Sequence, residues 1–125
     1  MSTLDHIILK VNDLDESVLF YTKIMGFENV GQDGPFTVLR VSDTFQLQLA
    51  PWNTDGYEHY AFALSRQEFD DVFSRVKSSG IDYGPSFHQV GTNEGPGEES
   101  GARGPAPTLY FNDPNKHLIE IRTYD

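Results

Sequence analysis

The sequence of 125 residues contains no cysteine, which excludes disulfide scaffolds and zinc sites built from thiolates. Basic residues are scarce, since nine Lys and Arg stand against nineteen Asp and Glu and leave a formal net charge of −10. Such a surface repels phosphate backbones and anionic lipids, so we expect neither nucleic acid nor a membrane as partner. Long apolar runs and a basic leader are also absent, so we expect no signal peptide, no membrane span and a cytoplasmic location.

Hydrophobic residues make up 38% of the chain and aromatic residues 13%, which is too much apolar surface for a disordered protein of this charge. The length is that of one domain, and it is enough to bury a core without staples. The composition therefore indicates a single packed domain.

One pattern occurs twice, an apolar strand followed by a capped helix. The strand Asp5–Val11 is echoed by Glu58–Leu64, with a histidine in the second position of each copy. A capping box follows each strand, and a glycine stands where each helix is expected to end. These signals are Asp13 to Glu16 with Gly26 in the first copy, and Ser65 to Glu68 with Gly80 in the second.

Further strands are predicted after each helix, so that two βαβββ modules, about residues 1–54 and 57–125, make up one α+β domain. In the second module a weak strand is predicted at Ser86–Val90. The glycine- and proline-rich segment Gly91–Pro107 is predicted to be a loop that forms a lid, a disordered tip or a surface insertion. The other predicted strands are Phe27–Gly31, Phe36–Ser42, Phe45–Ala50, Thr108–Asn112 and Leu118–Thr123.

Strand alternation places four polar side chains opposite the aliphatic faces, namely His6, Gln48, His59 and Glu120. If the aliphatic faces pack on the helices, the polar residues face away from them. Two imidazoles and one carboxylate form a facial set with vacant positions that suits Fe(II), Mn(II), Ni(II) or Zn(II). A single strand histidine is more often structural, and the pattern alone leaves that alternative open.

The hairpin Leu109–Ile121 resembles the terminal hairpin of the vicinal oxygen chelate superfamily, the glyoxalase, bleomycin-resistance and extradiol-dioxygenase group. The opening strand and helix are similar to that family as well, and the resemblance covers essentially the whole chain. It implies two βαβββ modules whose mixed sheet curls around a cleft, a divalent metal (Fe, Mn, Ni or Zn), a small-molecule substrate and a homodimer. By position, the implied metal ligands are His6, His59 and Glu120, and Gln48 occupies a fourth position that some branches use.

The chain departs from the individual branches of that family. Lys116 replaces the hairpin glycine, although a type I turn is expected to tolerate it, and Gln48 replaces the glutamate of glyoxalase I enzymes. Pro105 to Thr108 replace an acidic, serine-containing segment of the fosfomycin-resistance branch, which argues against that substrate. Tyr110 matches a tyrosine of extradiol dioxygenases, but their acid–base histidine has no counterpart.

We therefore expect a metal-dependent lyase, isomerase or dioxygenase that chelates its substrate through two neighbouring oxygens. In it, Gln48 is a weak fourth ligand or a hydrogen-bond donor, and Tyr110 donates a proton or a hydrogen bond. Arg122 is expected to form an exposed ion pair or to contact an anionic substrate, and His88 and His117 to lie in surface or turn positions. The alternatives are a non-catalytic protein that sequesters an antibiotic between aromatic walls, and a dimeric scaffold with a vestigial cleft.

Overall fold

The computed structural model describes every residue from Met1 to Asp125. The chain divides into two compact units, Met1–Asp55 and Gly56–Asp125. Each unit contains one helix and one mixed sheet, as the α+β prediction requires. Neither helix has the length and apolar character that a bilayer crossing requires.

The first unit is a four-stranded sheet in the order β1-β4-β3-β2. β1 runs parallel to β4, and the remaining neighbours are antiparallel. Its elements are β1 (His6–Lys10), α1 (Leu14–Lys23), β2 (Glu28–Asp33), β3 (Phe36–Arg40) and β4 (Gln46–Ala50).

The second unit repeats this plan in the order β5-β9-β8-β6, and the short strand β7 also pairs with β8. Its first and last strands, β5 and β9, are again parallel neighbours. The elements are β5 (His59–Leu64), α2 (Arg66–Ser78), β6 (Tyr83–Gly84), β7 (Gly97–Glu99), β8 (Ala106–Asn112) and β9 (Leu118–Thr123).

Both helices begin at the predicted caps. Asp13 accepts the Glu16 N–H at 3.0 Å, and Ser65 forms a complete capping box with Glu68. Helix α2 lies against β5 and β9, while α1 contacts β2. The aliphatic faces of the strands are buried, and each fully buried Leu or Ile contributes about 2 kcal/mol. These side chains are Leu9, Leu39, Leu47, Leu49, Leu109, Ile119 and Ile121.

Two predictions for the second unit are wrong. Ser86–Val90 is not a strand, because the chain turns back so closely that the Gln89 backbone lies against Gly84, where a Cβ would not fit. The Tyr83 carbonyl accepts the N–H groups of Gly91 and Asn93 at 3.1 and 2.8 Å, which closes this turn. The residues that follow are not simply a loop, since β7 pairs with β8 and adds a strand to the predicted module.

The turn between β8 and β9 is built around the Asp113 carboxylate. Its Oδ1 accepts the N–H groups of Asn115 and His117 at 2.8 and 2.9 Å, and the Asp113 N–H donates to the His117 carbonyl. Lys116 has a φ of 71°, in the left-handed region that favours glycine. The turn forms as predicted, but it does not accommodate Lys116 without strain, because a side chain costs about 1–2 kcal/mol in this conformation.

We predict that Lys116→Gly raises the free energy of unfolding by about 1 kcal/mol, because glycine removes the clash between Cβ and the following carbonyl. Urea denaturation measures the change, and Lys116→Ala is the matched control, since alanine keeps the Cβ and gains nothing. Equal stability of the glycine and alanine variants would show that the left-handed conformation carries no cost here.

Candidate metal centre

The parallel pairing of β5 with β9 brings His59 and Glu120 to one face of the second sheet. In this register Ala61 is the partner of Glu120, and His59 precedes Ala61 by two residues, so the two side chains point the same way. The His59 Nε2 atom lies 3.2 Å from the Glu120 Oε1 atom. The His59 side chain is about half exposed, at 48%, whereas the Glu120 side chain is buried. The pair therefore offers one solvent-accessible nitrogen atom, on His59, and one oxygen atom on a buried side chain, Glu120.

The Glu120 carboxylate is held by two further side chains. Its Oε2 atom accepts a hydrogen bond of 2.7 Å from Nη1 of Arg122, which is also buried. The Tyr110 residue pairs with Glu120 across β8 and β9, and its hydroxyl is hydrogen-bonded to that carboxylate. Removing one partner of a buried ion pair typically costs about 3–5 kcal/mol, so the orientation of Glu120 is firmly set.

Tyr110 is a neutral donor in this arrangement. Burial raises the pKa of its hydroxyl well above the ordinary value, and the hydrogen bond to Glu120 and the charge of that carboxylate act in the same direction. The Arg122 charge opposes them only in part. The hydroxyl is therefore protonated beside the Glu120 carboxylate and can donate a hydrogen bond to it.

Arg122 is not the exposed ion pair that the sequence predicts, because only 4% of it is accessible. Its guanidinium donates to the carbonyls of Glu99, Ser100 and Gly104 at 3.0, 3.2 and 3.0 Å, and only its Nε lacks a partner. Burial acts to lower the pKa of Arg122, but the hydrogen bonds and charges of Glu120 and Tyr124 outweigh it, so the net direction is upward. The sequence gives no signal for these carbonyl partners, since they come from the segment predicted to be a loop.

The first unit repeats the same register with different residues. Ile8 is the partner of Gln48, as Ala61 is of Glu120, and His6 precedes Ile8 by two residues. Gln48 is buried, so the amide occupies the position that the carboxylate has in the second unit. The Nδ1 atom of His6 lies 2.7 Å from Asp5 Oδ2. A carboxylate only accepts, so the neutral imidazole in this contact carries its proton on Nδ1 and its lone pair on Nε2.

The two remaining histidines differ from each other. His117 is buried, and its Nδ1 atom accepts a hydrogen bond of 3.3 Å from the Glu58 N–H. Glu58 directly precedes His59 in the chain. It supports the start of β5, a role that its predicted surface or turn position did not indicate. His88 is exposed, with its ring against Phe87.

The structure contains no group of three or more His, Cys, Asp or Glu side chains that could hold a metal ion. It brings together two donors, His59 and Glu120, in the second unit, and it places His6 and Gln48 on one face of the first. An imidazole nitrogen and a carboxylate oxygen 3.2 Å apart have the separation of neighbouring ligands around one ion. The chemistry of this pair therefore fits a divalent metal such as Mn(II), Fe(II), Ni(II) or Zn(II).

Known proteins resemble the chain over nearly its whole length. The fosfomycin resistance protein FosX of Listeria innocua is 28% identical, over 97% of this chain and 89% of its own. The solved structure of the oxidase ChaP-H1 has a TM-score of 0.81 and 27% identity, and it covers 100% of this chain and 98% of its own. A FosX structure from Listeria monocytogenes, complexed with Mn(II) and 1S,2S-dihydroxypropylphosphonic acid, shares the fold with a TM-score of 0.70 and 24% identity, over 98% of this chain and 90% of its own.

A family description matches residues 3–121 of the chain. The strand order of both units, their repeated register and these relatives agree with that match. The chain belongs to the Glyoxalase/Bleomycin resistance protein/Dioxygenase superfamily.

Proposed function

We propose that this protein is a divalent-metal-dependent enzyme that binds a small substrate through two neighbouring oxygens. The metal ligands are His6, His59 and Glu120. The observation that carries the proposal is the pair of His59 Nε2 and Glu120 Oε1, 3.2 Å apart on one sheet face. Membership of the family and the Mn(II) in the L. monocytogenes FosX structure support it.

His6 is proposed as the third ligand because the first unit repeats the second. It has the same offset from Gln48 that His59 has from Glu120, and the Asp5 carboxylate leaves its Nε2 atom as the ligand atom. The proposal uses the same three residues whether one chain or two chains of a homodimer supply them.

Each residue of the proposed site has a distinct role. A bound divalent metal supplies a Lewis acid and a template for the two substrate oxygens. With one carboxylate and two neutral imidazoles, the ligand set leaves net positive charge for an oxyanion that develops on the substrate. Tyr110 orients Glu120 as a neutral hydrogen-bond donor. Gln48 either donates a hydrogen bond to the substrate from its amide or binds the metal as a weak fourth ligand.

The reaction is proposed to be one of those that the named relatives suggest, and a substrate panel separates them. Fosfomycin tests the FosX reaction, although Pro105 to Thr108 differ from that branch. Oxygen uptake with catechols or related enolic compounds tests oxidase chemistry. Hemithioacetals test the glyoxalase reaction.

A second candidate is a sequestering protein without chemistry. The observation that favours it is the exposure of three aromatic side chains, Trp52, Tyr57 and Phe87, which are 52%, 83% and 56% accessible. A protein of this kind would bind an aromatic ligand equally well after treatment with a chelator. Dependence of ligand binding on metal separates the two candidates.

We predict that a divalent metal stabilises chelator-stripped protein, because only the folded state gathers the ligands. At about a hundredfold excess over Kd the gain is about 2.7 kcal/mol, or several degrees in melting temperature. Thermal unfolding with Mn(II), Fe(II), Co(II), Ni(II) and Zn(II) measures it. No shift with any of the five metals would rule out the proposed site.

We predict that His6→Ala and His59→Ala each abolish this shift. The metal-free stability should change by less than about 0.5 kcal/mol for His6→Ala, and should fall by about 1 kcal/mol for His59→Ala, which also removes the contact with Glu120. Both side chains are about half exposed, so their loss leaves no buried cavity. Glu120 is a poor test residue, because its removal would leave the buried Arg122 charge without its carboxylate partner.

The matched control is His88→Ala, which removes an exposed histidine outside the site and should keep the full metal response. Unfolding of either ligand variant without loss of metal binding would show that the histidine is structural.

We predict that Gln48→Glu tightens metal binding roughly tenfold, equivalent to about 1.4 kcal/mol, because it places a carboxylate where the second unit has Glu120. The same change should lower metal-free stability, since Gln48 is buried and a buried charge is costly. Calorimetric titration of stripped protein measures the affinity.

Gln46→Glu is the control, because Gln46 lies on the same face two residues earlier and is more accessible, so we expect a weak response. Equal affinity in the wild type and both variants would place Gln48 away from the metal.

A further inference from the structure

Arg122 joins two parts of the second unit, the Glu120 carboxylate and a turn that precedes β8. On one side, its Nη1 atom donates to Oε2 of Glu120 at 2.7 Å. On the other side, its guanidinium donates to three backbone carbonyls of the segment from Glu99 to Gly104, called segment 99–104 below. Each of these bonds uses a donor whose direction is fixed by the planar guanidinium.

Segment 99–104 is shaped to receive this guanidinium. Gly101 and Gly104 exchange two backbone hydrogen bonds of 3.0 Å, which closes the segment into a tight turn. A Cβ atom on Gly101 would collide with the Arg122 guanidinium, so the backbone there lies directly against the charged group. The Arg103 N–H also donates to the Tyr124 hydroxyl at 3.2 Å, so the turn is fixed to the end of β9 at a second point.

The two Glu120 oxygens consequently have different tasks. Oε2 is engaged by Arg122, while Oε1 faces His59 Nε2 at 3.2 Å. A carboxylate with one oxygen engaged by a guanidinium presents the other oxygen to a metal, and its orientation is set before the metal arrives.

We propose that Arg122 is a positioning residue that makes Glu120 a one-oxygen metal ligand and couples the conformation of segment 99–104 to metal binding. This inference rests on the proposed function, because it assigns a role toward the same metal site. The coupling is reciprocal: segment 99–104 in place favours the ligand orientation, and bound metal favours the segment in place.

The first test uses Arg122→Lys in the full chain, since lysine keeps the charge but cannot reach Glu120 and three carbonyls together. We expect Mn(II) affinity, measured by titration of stripped protein, to fall about tenfold or more, as for other groups that orient a metal ligand. We also expect faster amide hydrogen exchange in segment 99–104 of the metal-free protein. Arg103→Lys is the control, because Arg103 belongs to the same segment, stacks on Tyr124 and makes no bond to Glu120.

The second test changes segment 99–104 and leaves strand β9 unaltered. It therefore tests the role of Arg122 even if Arg122→Lys fails to fold. Gly101→Ala displaces the segment from the guanidinium, and Ser100→Ala is its control, since the Ser100 carbonyl remains. We expect Gly101→Ala to weaken Mn(II) binding and to change the visible absorption of the Co(II)-loaded protein, which reports ligand geometry. A merely structural role of the segment would leave that spectrum unchanged.

The possible failures are distinguishable. If the wild type binds no metal, the proposed function fails and the coupling fails with it. If the wild type binds Mn(II) but Arg122→Lys and Gly101→Ala bind it with the same affinity and give the wild-type Co(II) spectrum, the role of Arg122 is overturned while the metal site stands. The coupling predicts that Mn(II) slows amide hydrogen exchange of segment 99–104 in the wild type. It also predicts that Mn(II) does not slow this exchange in Gly101→Ala.

Discussion

The parallel pairing of the first strand of each unit with the last determines where every candidate ligand lies. Paired residues of parallel neighbours share a face, so the register alone decides which side chains meet. In the second unit it brings His59 within 3.2 Å of Glu120, and in the first it gives His6 and Gln48 the same offset. A shift of one residue in either pairing would turn a ligand toward the apolar core and separate the pair.

Burial then distinguishes the two copies of this pattern. The second unit buries a carboxylate and compensates it with Arg122 and Tyr110, while the first unit buries the neutral amide of Gln48. A buried carboxylate without a cation would be strongly destabilising, and the first unit has no arginine in the place of Arg122, since Ala50 follows Gln48 by two residues. The difference between Glu120 and Gln48 thus corresponds to a difference in which buried charge each unit can neutralise.

Much of this arrangement could be predicted from the sequence, because the decisive signals are local. Strand alternation and the echo of the two copies place His6, His59 and Glu120 on polar faces, and the caps at Asp13 and Ser65 mark the helices. The burial of Arg122 could not be predicted in this way, since its partners are carbonyls of residues about twenty positions away. For the same reason β7 was missed, because three residues rich in Glu and Gly carry no strand signal until β8 pairs with them. The left-handed conformation of Lys116 was also missed, as the Asp113 carboxylate imposes it against the preference of the residue.

The close approach of Gly101 to the Arg122 guanidinium has a consequence for sequence variation. A side chain at position 101 would have to displace the guanidinium or the turn that holds it, so the two positions are physically linked across the second unit. We expect a bulkier residue at position 101 to be accommodated best together with a shorter side chain at position 122.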